Sequence, residues 1–313
     1  MRDKRLDVIK GLLIVSVVLG HALEDINGWN IGGTRALLIL IYGVHMPAFI
    51  FLTGMFSPKK ISLRKLGGLA ATFLVFEIIY KAIGYVLKIP GEPWYWPYGP
   101  LWYLIVMIWW TFLIPLINRW PRATFIASLI GLVLSGLIPF HGNWFAIQRT
   151  FGFLPFYVLG KAWGKQIVLF CRKLNRTIIT ALVFLYLCGI LWFVHTHLEP
   201  HWLFRNWNYA LLGTTPLKGG ILRFILLAIG ICGTIVILSL NIEWPLFEIL
   251  GQRSLAIFLG HVVVLFGLKK LMALHPITNT SVSLVVAVLF AVLAISLSGL
   301  KPVNKAVRKL YSL

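Results

Sequence analysis

Ten apolar runs, each near the roughly twenty residues that cross a bilayer as a helix, follow one another along the chain. They cover approximately residues 6–23, 36–56, 66–87, 101–118, 123–140, 149–164, 177–196, 221–240, 246–268 and 280–300. The segments between them are short, and none is polar for the fifty or so residues that a separate soluble domain needs. The pattern predicts an all-α integral membrane protein of about ten transmembrane helices, built as one polytopic domain over residues 1–313. The first run follows a basic stub but carries internal charge and lacks an Ala-x-Ala-like cleavage site. It is expected to stay as the first span rather than leave as a signal peptide.

Composition agrees: 59% of residues are hydrophobic and 12% charged, against about 25% charged in soluble domains. The net charge of +20 does not imply nucleic acid, because the basic residues are scattered over short loops instead of gathered on one soluble face. If the N-terminus is cytoplasmic, 19 of the 29 Lys and Arg fall in inside segments, eight in outside segments and two, Lys10 and Lys81, within spans. That bias predicts both termini inside. Cys171, Cys188 and Cys232 have no metal-binding or redox spacing, and no metal site is expected. The phosphate-loop, zinc-helix and nucleophile-elbow motifs are also missing.

Polar residues inside the apolar runs carry the functional information, since a charge at mid-bilayer costs about 2.5–3.5 kcal/mol on insertion scales. Leu6–Leu23 holds Asp7, Lys10 and His21. Eleven residues make about three turns, so Lys10 and His21 share a face roughly 16 Å apart along the axis. Asp7 and Lys10 stand three apart and suit a structural ion pair, as do Glu77 and Lys81 four apart. His45 lies two residues before Pro47, which predicts a kink beside a cavity. Trp102 and Tyr103 open the fourth run, Gln148 and Arg149 the sixth, and His261 lies deep in the ninth. Each histidine reads equally as a packed structural group or a working one. Arg149 reads as an interfacial cation or as a clamp on a hydroxyl or oxyanion.

Two outside segments, 91–100 and about 195–220, are rich in Trp, Tyr and Pro. Such rings serve as interfacial anchors or, alternatively, as stacking platforms for a sugar. Inside, the cluster Lys59, Lys60, Arg64 and Lys65 is explained by topology alone or by phosphate binding. A histidine general base is the economical chemistry for these parts: imidazole takes the proton of an acceptor hydroxyl, whose oxygen attacks a thioester carbonyl. Buried charge and kinked helices also suit a transporter or flippase for a lipid-linked or small anionic substrate, or a scaffold that only binds a glycan.

Five segments in order, LDVIKGLLIVSVVLGH (6–21), HMPAFIFLTG (45–54), GPLWYLIVM (99–107), RTFGFLPFYVLGK (149–161) and GQRSLAIFLGH (251–261), resemble membrane-bound acyltransferase family 3. Within it they are similar to the fucose 4-O-acetylase-like branch of sugar O-acetyltransferases. The resemblance implies about ten transmembrane helices in the cell membrane. It implies transfer of an acyl group, usually acetyl, from cytosolic acyl-CoA, a co-substrate and not a resident cofactor, to a hydroxyl of an envelope glycan or glycolipid. It would make His21 the catalytic base and place Lys10 where CoA phosphates or the thioester pass. Many members carry Arg there, and Lys keeps the charge but lacks the bidentate fork. Lys10, Lys60, Arg64 and Arg253 are then the expected acyl-CoA contacts. His45, Trp102, Arg149 and His261 are the expected groups around the acceptor or oxyanion. With no appended extracytoplasmic domain, acceptor choice is expected to fall to the outer loops.

Overall fold

The structure, a computed structural model, describes residues 3–29, 32–89, 93–139 and 143–312. Among them there are fourteen α-helices, three short 3₁₀ turns and no strand. The helices are α1 (Lys4–Asn27), α2 (Gly32–Tyr42), α3 (His45–Phe56), α4 (Leu63–Leu87), α5 (Trp102–Arg119), α6 (Pro121–Leu134) and α7 (Ile147–Cys171). They continue as α8 (Arg176–His195), α9 (His201–Phe204), α10 (Pro216–Ser239), α11 (Pro245–Gln252), α12 (Ser254–Leu274), α13 (Thr280–Ser298) and α14 (Lys301–Tyr311). Among the described residues eight segments are long and apolar enough to cross a membrane, one of them α2 and α3 together. The run at 123–140 gives only a shorter apolar helix, Pro121–Leu137. The run at 149–164 gives α7, long enough to span but carrying Arg149, Lys161 and Lys165.

Two expected runs divide. The second breaks at Gly43–Val44, one turn before Pro47, because a proline ring clashes with the carbonyl four residues back and offers it no N–H. Side chains satisfy the loosened carbonyls: His45 Nδ1 is 2.8 Å from the Ile41 oxygen, and the Tyr186 hydroxyl donates to Leu40 at 2.6 Å. The ninth, 246–268, splits at Arg253, whose φ of −107° and ψ of 11° leave the helical region. Its spanning part is displaced to Ser254–Leu274, with α11 a separate short helix.

Helix α1 stands at the centre, against α2, α3, α11, α12 and α13. Within its apolar window 67% of residues are buried, whereas α8 has 17% and α4 and α13 have 22%. Helices α4, α8 and α13 therefore present their apolar side chains outward, as lipid-facing helices do. Glycines set the closest helix contacts. A Cβ on Gly251 of α11 would fall 1.8 Å from the Asp7 carbonyl oxygen of α1, and one on Gly11 would fall 2.0 Å from that of Phe247. Between α3 and α7 the same holds at Gly54 and Gly160, 2.2 and 1.9 Å from the carbonyl oxygens of Tyr157 and Phe51. These backbone contacts fix the helices that bear Lys10, His45 and Arg149.

Candidate functional site

Two cavities run end to end beside α1. The smaller, about 320 Å³, is lined by Lys10, Thr53, Phe56, Ser62, Lys65, Tyr311 and a mainly apolar wall. The larger, about 540 Å³, holds His21, Glu24, Asp25, His45, Arg149 and Lys269 among aromatic side chains. Val17, Met46, Tyr103 and Phe258 line both, so the cavities meet at this ring of four side chains. On one face of α1, Lys10 opens into one cavity and His21 into the other.

His21 is backed by a second histidine. Its Nδ1 is 2.9 Å from Nε2 of His261, while Nδ1 of His261 is 3.0 Å from the carbonyl oxygen of Ile257. A carbonyl only accepts, so the neutral His261 carries its proton on Nδ1 and presents Nε2 as a lone pair. His21 must therefore donate from Nδ1, which leaves Nε2 of His21 unprotonated and basic. The tautomer follows from the hydrogen-bond chain. His45 is assigned in the same way: its Nδ1 donates to Ile41, and its Nε2 is an acceptor. His45 lines the same cavity, edge-on to Tyr42 with centroids 4.7 Å apart.

Around this pair the larger cavity is both polar and aromatic. Glu24 accepts from the Tyr42 hydroxyl at 2.6 Å and from the Trp29 indole at 3.2 Å. Lys269 pairs with Asp25 at 3.4 Å. The Arg149 guanidinium lies 4.8 Å from the Trp102 ring and donates from Nε to the Phe204 carbonyl at 3.2 Å. Trp102 itself stacks on Phe153 at 5.5 Å.

Two buttressed loops supply the rest of the wall. Glu77 and Lys81 pair at 2.7 Å. Lys81 also donates to the carbonyls of Trp94 at 2.5 Å and Trp96 at 3.1 Å, and Glu77 accepts from the Tyr98 amide at 2.9 Å. The pair thus satisfies its own charge and pins the aromatic loop. On the other side His201 and Trp207 stack at 3.6 Å. Their loop is held by two buried cations, Arg205 donating to the Gly152 carbonyl and Arg223 to those of Leu132 and Trp207. Among the described residues no group of three or more His, Cys, Asp or Glu could hold a metal ion.

The acyltransferase-domain profile of acyltransferase family 3 matches residues 3–300. The chain belongs to acyltransferase family 3. No curated protein and no solved structure matches it. It is a multi-pass membrane acyltransferase, and the match extends over the larger cavity and all of the smaller one's lining except Tyr311 of α14.

In this acyltransferase the four residues expected around the acceptor, His45, Trp102, Arg149 and His261, occupy different places. His45, Trp102 and Arg149 line the larger cavity. His261 is fully buried behind His21. Of the expected acyl-CoA contacts only Lys10 lines the smaller cavity. It pairs with buried Asp7 at 3.1 Å and lies 4.4 Å from the centre of the Phe56 ring. Lys60 is exposed and outside that lining, and Lys65 takes the place beside Ser62. Arg64 donates to the Ser312 carbonyl at 3.0 Å, and Arg253 to that of Gly299 at 2.7 Å. The latter two are ties between the helix ends and the chain that follows α13.

Glu24, Asp25, Lys269 and Tyr103 were not singled out as site residues by the sequence, although the signal existed for three of them. Glu24 and Asp25 stand three and four residues after His21, on its helix face. Lys269 stands eight after His261, about two turns on the same side. Tyr103 was noted beside Trp102 at the head of the fourth run, but its position between the cavities depends on how α5 docks, which no sequence period shows.

Proposed function

We propose that this acyltransferase moves an acyl group, acetyl in the simplest case, from cytosolic acyl-CoA to a hydroxyl of a cell-envelope glycan or lipid-linked sugar at the cell membrane. The carrying observation is the pair of cavities that meet at Val17, Met46, Tyr103 and Phe258, with Lys10 in one and a basic imidazole nitrogen in the other. Acyl-CoA enters the smaller cavity, its phosphates near Lys10 and Lys65 and its thioester directed toward His21, about 16 Å further along α1. The mainly apolar wall suits the arm that links them. The acceptor sugar enters the larger cavity, where Trp102, Tyr98 and Trp207 offer ring faces and Glu24, Asp25 and Arg149 offer hydrogen-bonding groups. The resemblance to fucose 4-O-acetylase-like enzymes supports a sugar as the acceptor.

In the reaction the acceptor hydroxyl donates its hydrogen to Nε2 of His21. Its oxygen forms a bond to the thioester carbon as the proton moves to Nε2, and the carbonyl oxygen takes the negative charge. Collapse breaks the C–S bond, and the CoA thiolate leaves with the proton that Nε2 returns. His261 is a positioning residue: it holds His21 in the productive tautomer, and the hydrogen bond that its Nε2 accepts from Nδ1 of His21 strengthens as the imidazolium forms. The test supplies [¹⁴C]acetyl-CoA to inside-out membrane vesicles containing the protein. The expected result is label in the glycan and lipid-linked sugar fraction, lost with His21→Ala. Transport or flipping would put no label on the sugar, and a His21→Ala protein that inserts normally and transfers at the wild-type rate would overturn the mechanism.

A further inference from the structure

The thioester carbonyl that reacts must sit where donor and acceptor meet, so its oxygen lies at the junction of the two cavities. Four side chains line both cavities, and three of them, Val17, Met46 and Phe258, carry no polar hydrogen. The fourth, Tyr103, has a hydroxyl. The geometry points to Tyr103 as a catalytic residue, the hydrogen-bond donor to the oxyanion formed on the thioester, an inference that rests on the acyl-transfer reading above.

The proton arrangement around it supports this. Thr53 donates from Oγ1 to the Phe49 carbonyl at 2.9 Å. The hydroxyl of Tyr103 is hydrogen-bonded to that same Thr53 oxygen, so the hydrogen between the two belongs to the phenol. The Phe49 carbonyl lies within α3, where a bond from a threonine hydroxyl only supplements the helix ladder. Thr53 can therefore turn its hydrogen onto the phenol oxygen while Tyr103 turns its own toward the oxyanion. Neither hydroxyl is left without a partner in either arrangement. Tyr103 transfers no proton; the charge returns to the carbonyl when C–S breaks.

The other candidates are already committed. His261 gives its only hydrogen to Ile257 and accepts from His21. His45 gives its hydrogen to Ile41. Trp102 and Arg149 line only the larger cavity, where they suit the acceptor. The Tyr103 ring is meanwhile held edge-on to Phe258 with centroids 5.4 Å apart, so the hydroxyl is presented from a fixed position, as an oxyanion donor requires.

The experiment measures initial rates of label transfer from [¹⁴C]acetyl-CoA to the glycan fraction in inside-out vesicles containing wild type, Tyr103→Phe or His21→Ala protein, normalised to protein amount. Tyr103→Phe keeps the ring and removes the donor. The expected result is a maximal rate lowered by about 10²–10³-fold with the half-saturating acetyl-CoA concentration little changed, the effect of deleting one oxyanion donor. A maximal rate within about threefold of wild type, or a loss carried by weaker acetyl-CoA binding, overturns the assignment. Should Tyr103→Phe not give folded protein, 3-fluorotyrosine at position 103 replaces it: a stronger phenol donor should raise the maximal rate, and an unchanged or lower rate overturns the assignment. If wild type transfers label and His21→Ala does not, a normal rate in Tyr103→Phe defeats only this inference. Absence of label with wild type defeats both.

Discussion

Replacing His261 tests whether one buried histidine sets the basicity of another. His261→Leu fills the fully buried site with an apolar side chain of similar size and deletes the acceptor that lies 2.9 Å from Nδ1 of His21. In the resting enzyme that bond joins two neutral rings and contributes about 1 kcal/mol; once His21 holds the acceptor's proton it is charge-assisted and contributes about 1.5–3 kcal/mol. The difference, about 0.5–2 kcal/mol, exists only as the transition state is approached and corresponds to roughly 2–30-fold in rate. A second loss adds to it, because without an acceptor at Nδ1 the His21 proton is free to occupy Nε2, where the ring is no base. Together these predict a fall of about 10–100-fold in the maximal rate, with substrate half-saturation within about twofold of wild type. His261→Gln restores an acceptor oxygen and should recover a large part of the loss. The assay is label transfer from [¹⁴C]acetyl-CoA in vesicles, alongside the thermal stability of the detergent-solubilised variants. A Leu variant of wild-type rate would refute the reasoning, and so would Gln and Leu variants equally slow despite wild-type stability.

The cavity linings give two further predictions and the α1–α11 contact a third. Lys10→Gln should raise the half-saturating acetyl-CoA concentration about tenfold, or about 1.4 kcal/mol, and more than Lys60→Gln, because only Lys10 lines the smaller cavity; titration of the vesicles with acetyl-CoA checks the order. Trp102→Leu removes the ring beneath the Arg149 guanidinium, an interaction worth about 0.5–2 kcal/mol. It should weaken half-saturation by purified glycan extract about 2–30-fold while leaving that for acetyl-CoA near wild type. Gly251→Ala puts a methyl group 1.8 Å from the Asp7 carbonyl oxygen, a backbone clash that should cost about 1–3 kcal/mol and lower the melting temperature in detergent, whereas Gly67→Ala, where an added Cβ meets nothing within 4 Å, should not lower it.

Much of the architecture was legible in the chain because a bilayer imposes one rule, that backbone polar groups be satisfied within the span. Runs of apolar residues therefore located most helices directly. The rule fails where the backbone is satisfied otherwise. At Pro47 the sequence predicts a kink, and the helix breaks fully one turn earlier, at Gly43–Val44, where a histidine and a tyrosine satisfy the loosened carbonyls. At Arg253 an unbroken apolar run conceals a helix end, because hydropathy does not register a single residue leaving helical φ and ψ. The site was legible as far as helix periodicity reaches. Lys10 and His21 share a face of α1, and the same arithmetic extends to Glu24 and Asp25. The partnership of His21 with His261, 240 residues apart, is a tertiary fact that no local period encodes. Within the basic cluster at 59–65 charge does not distinguish one residue from another, whereas α4 places Lys65 in the lining of the smaller cavity and Arg64 against the Ser312 carbonyl.

The ring at the junction also bears on why a neutral histidine partner suits this place. Val17, Met46 and Phe258 surround the proposed reaction centre with apolar surface, which limits water that would hydrolyse the thioester and strengthens every hydrogen bond made there. The same surroundings make an unpaired charge expensive. A carboxylate behind His21 would have to be buried as an anion in the resting enzyme, before any positive charge exists to balance it. His261 avoids that: it is neutral at rest, offers one lone pair to His21, and gains interaction strength only as the imidazolium forms. The carboxylates of this region lie elsewhere on the cavity wall, Glu24 accepting from Tyr42 and Trp29 and Asp25 paired with Lys269. On the proposed reading, charge is thus kept toward the acceptor's side of the cavity, and the atoms that exchange the acyl group meet where, among the four side chains that line both cavities, only Tyr103 carries a polar hydrogen.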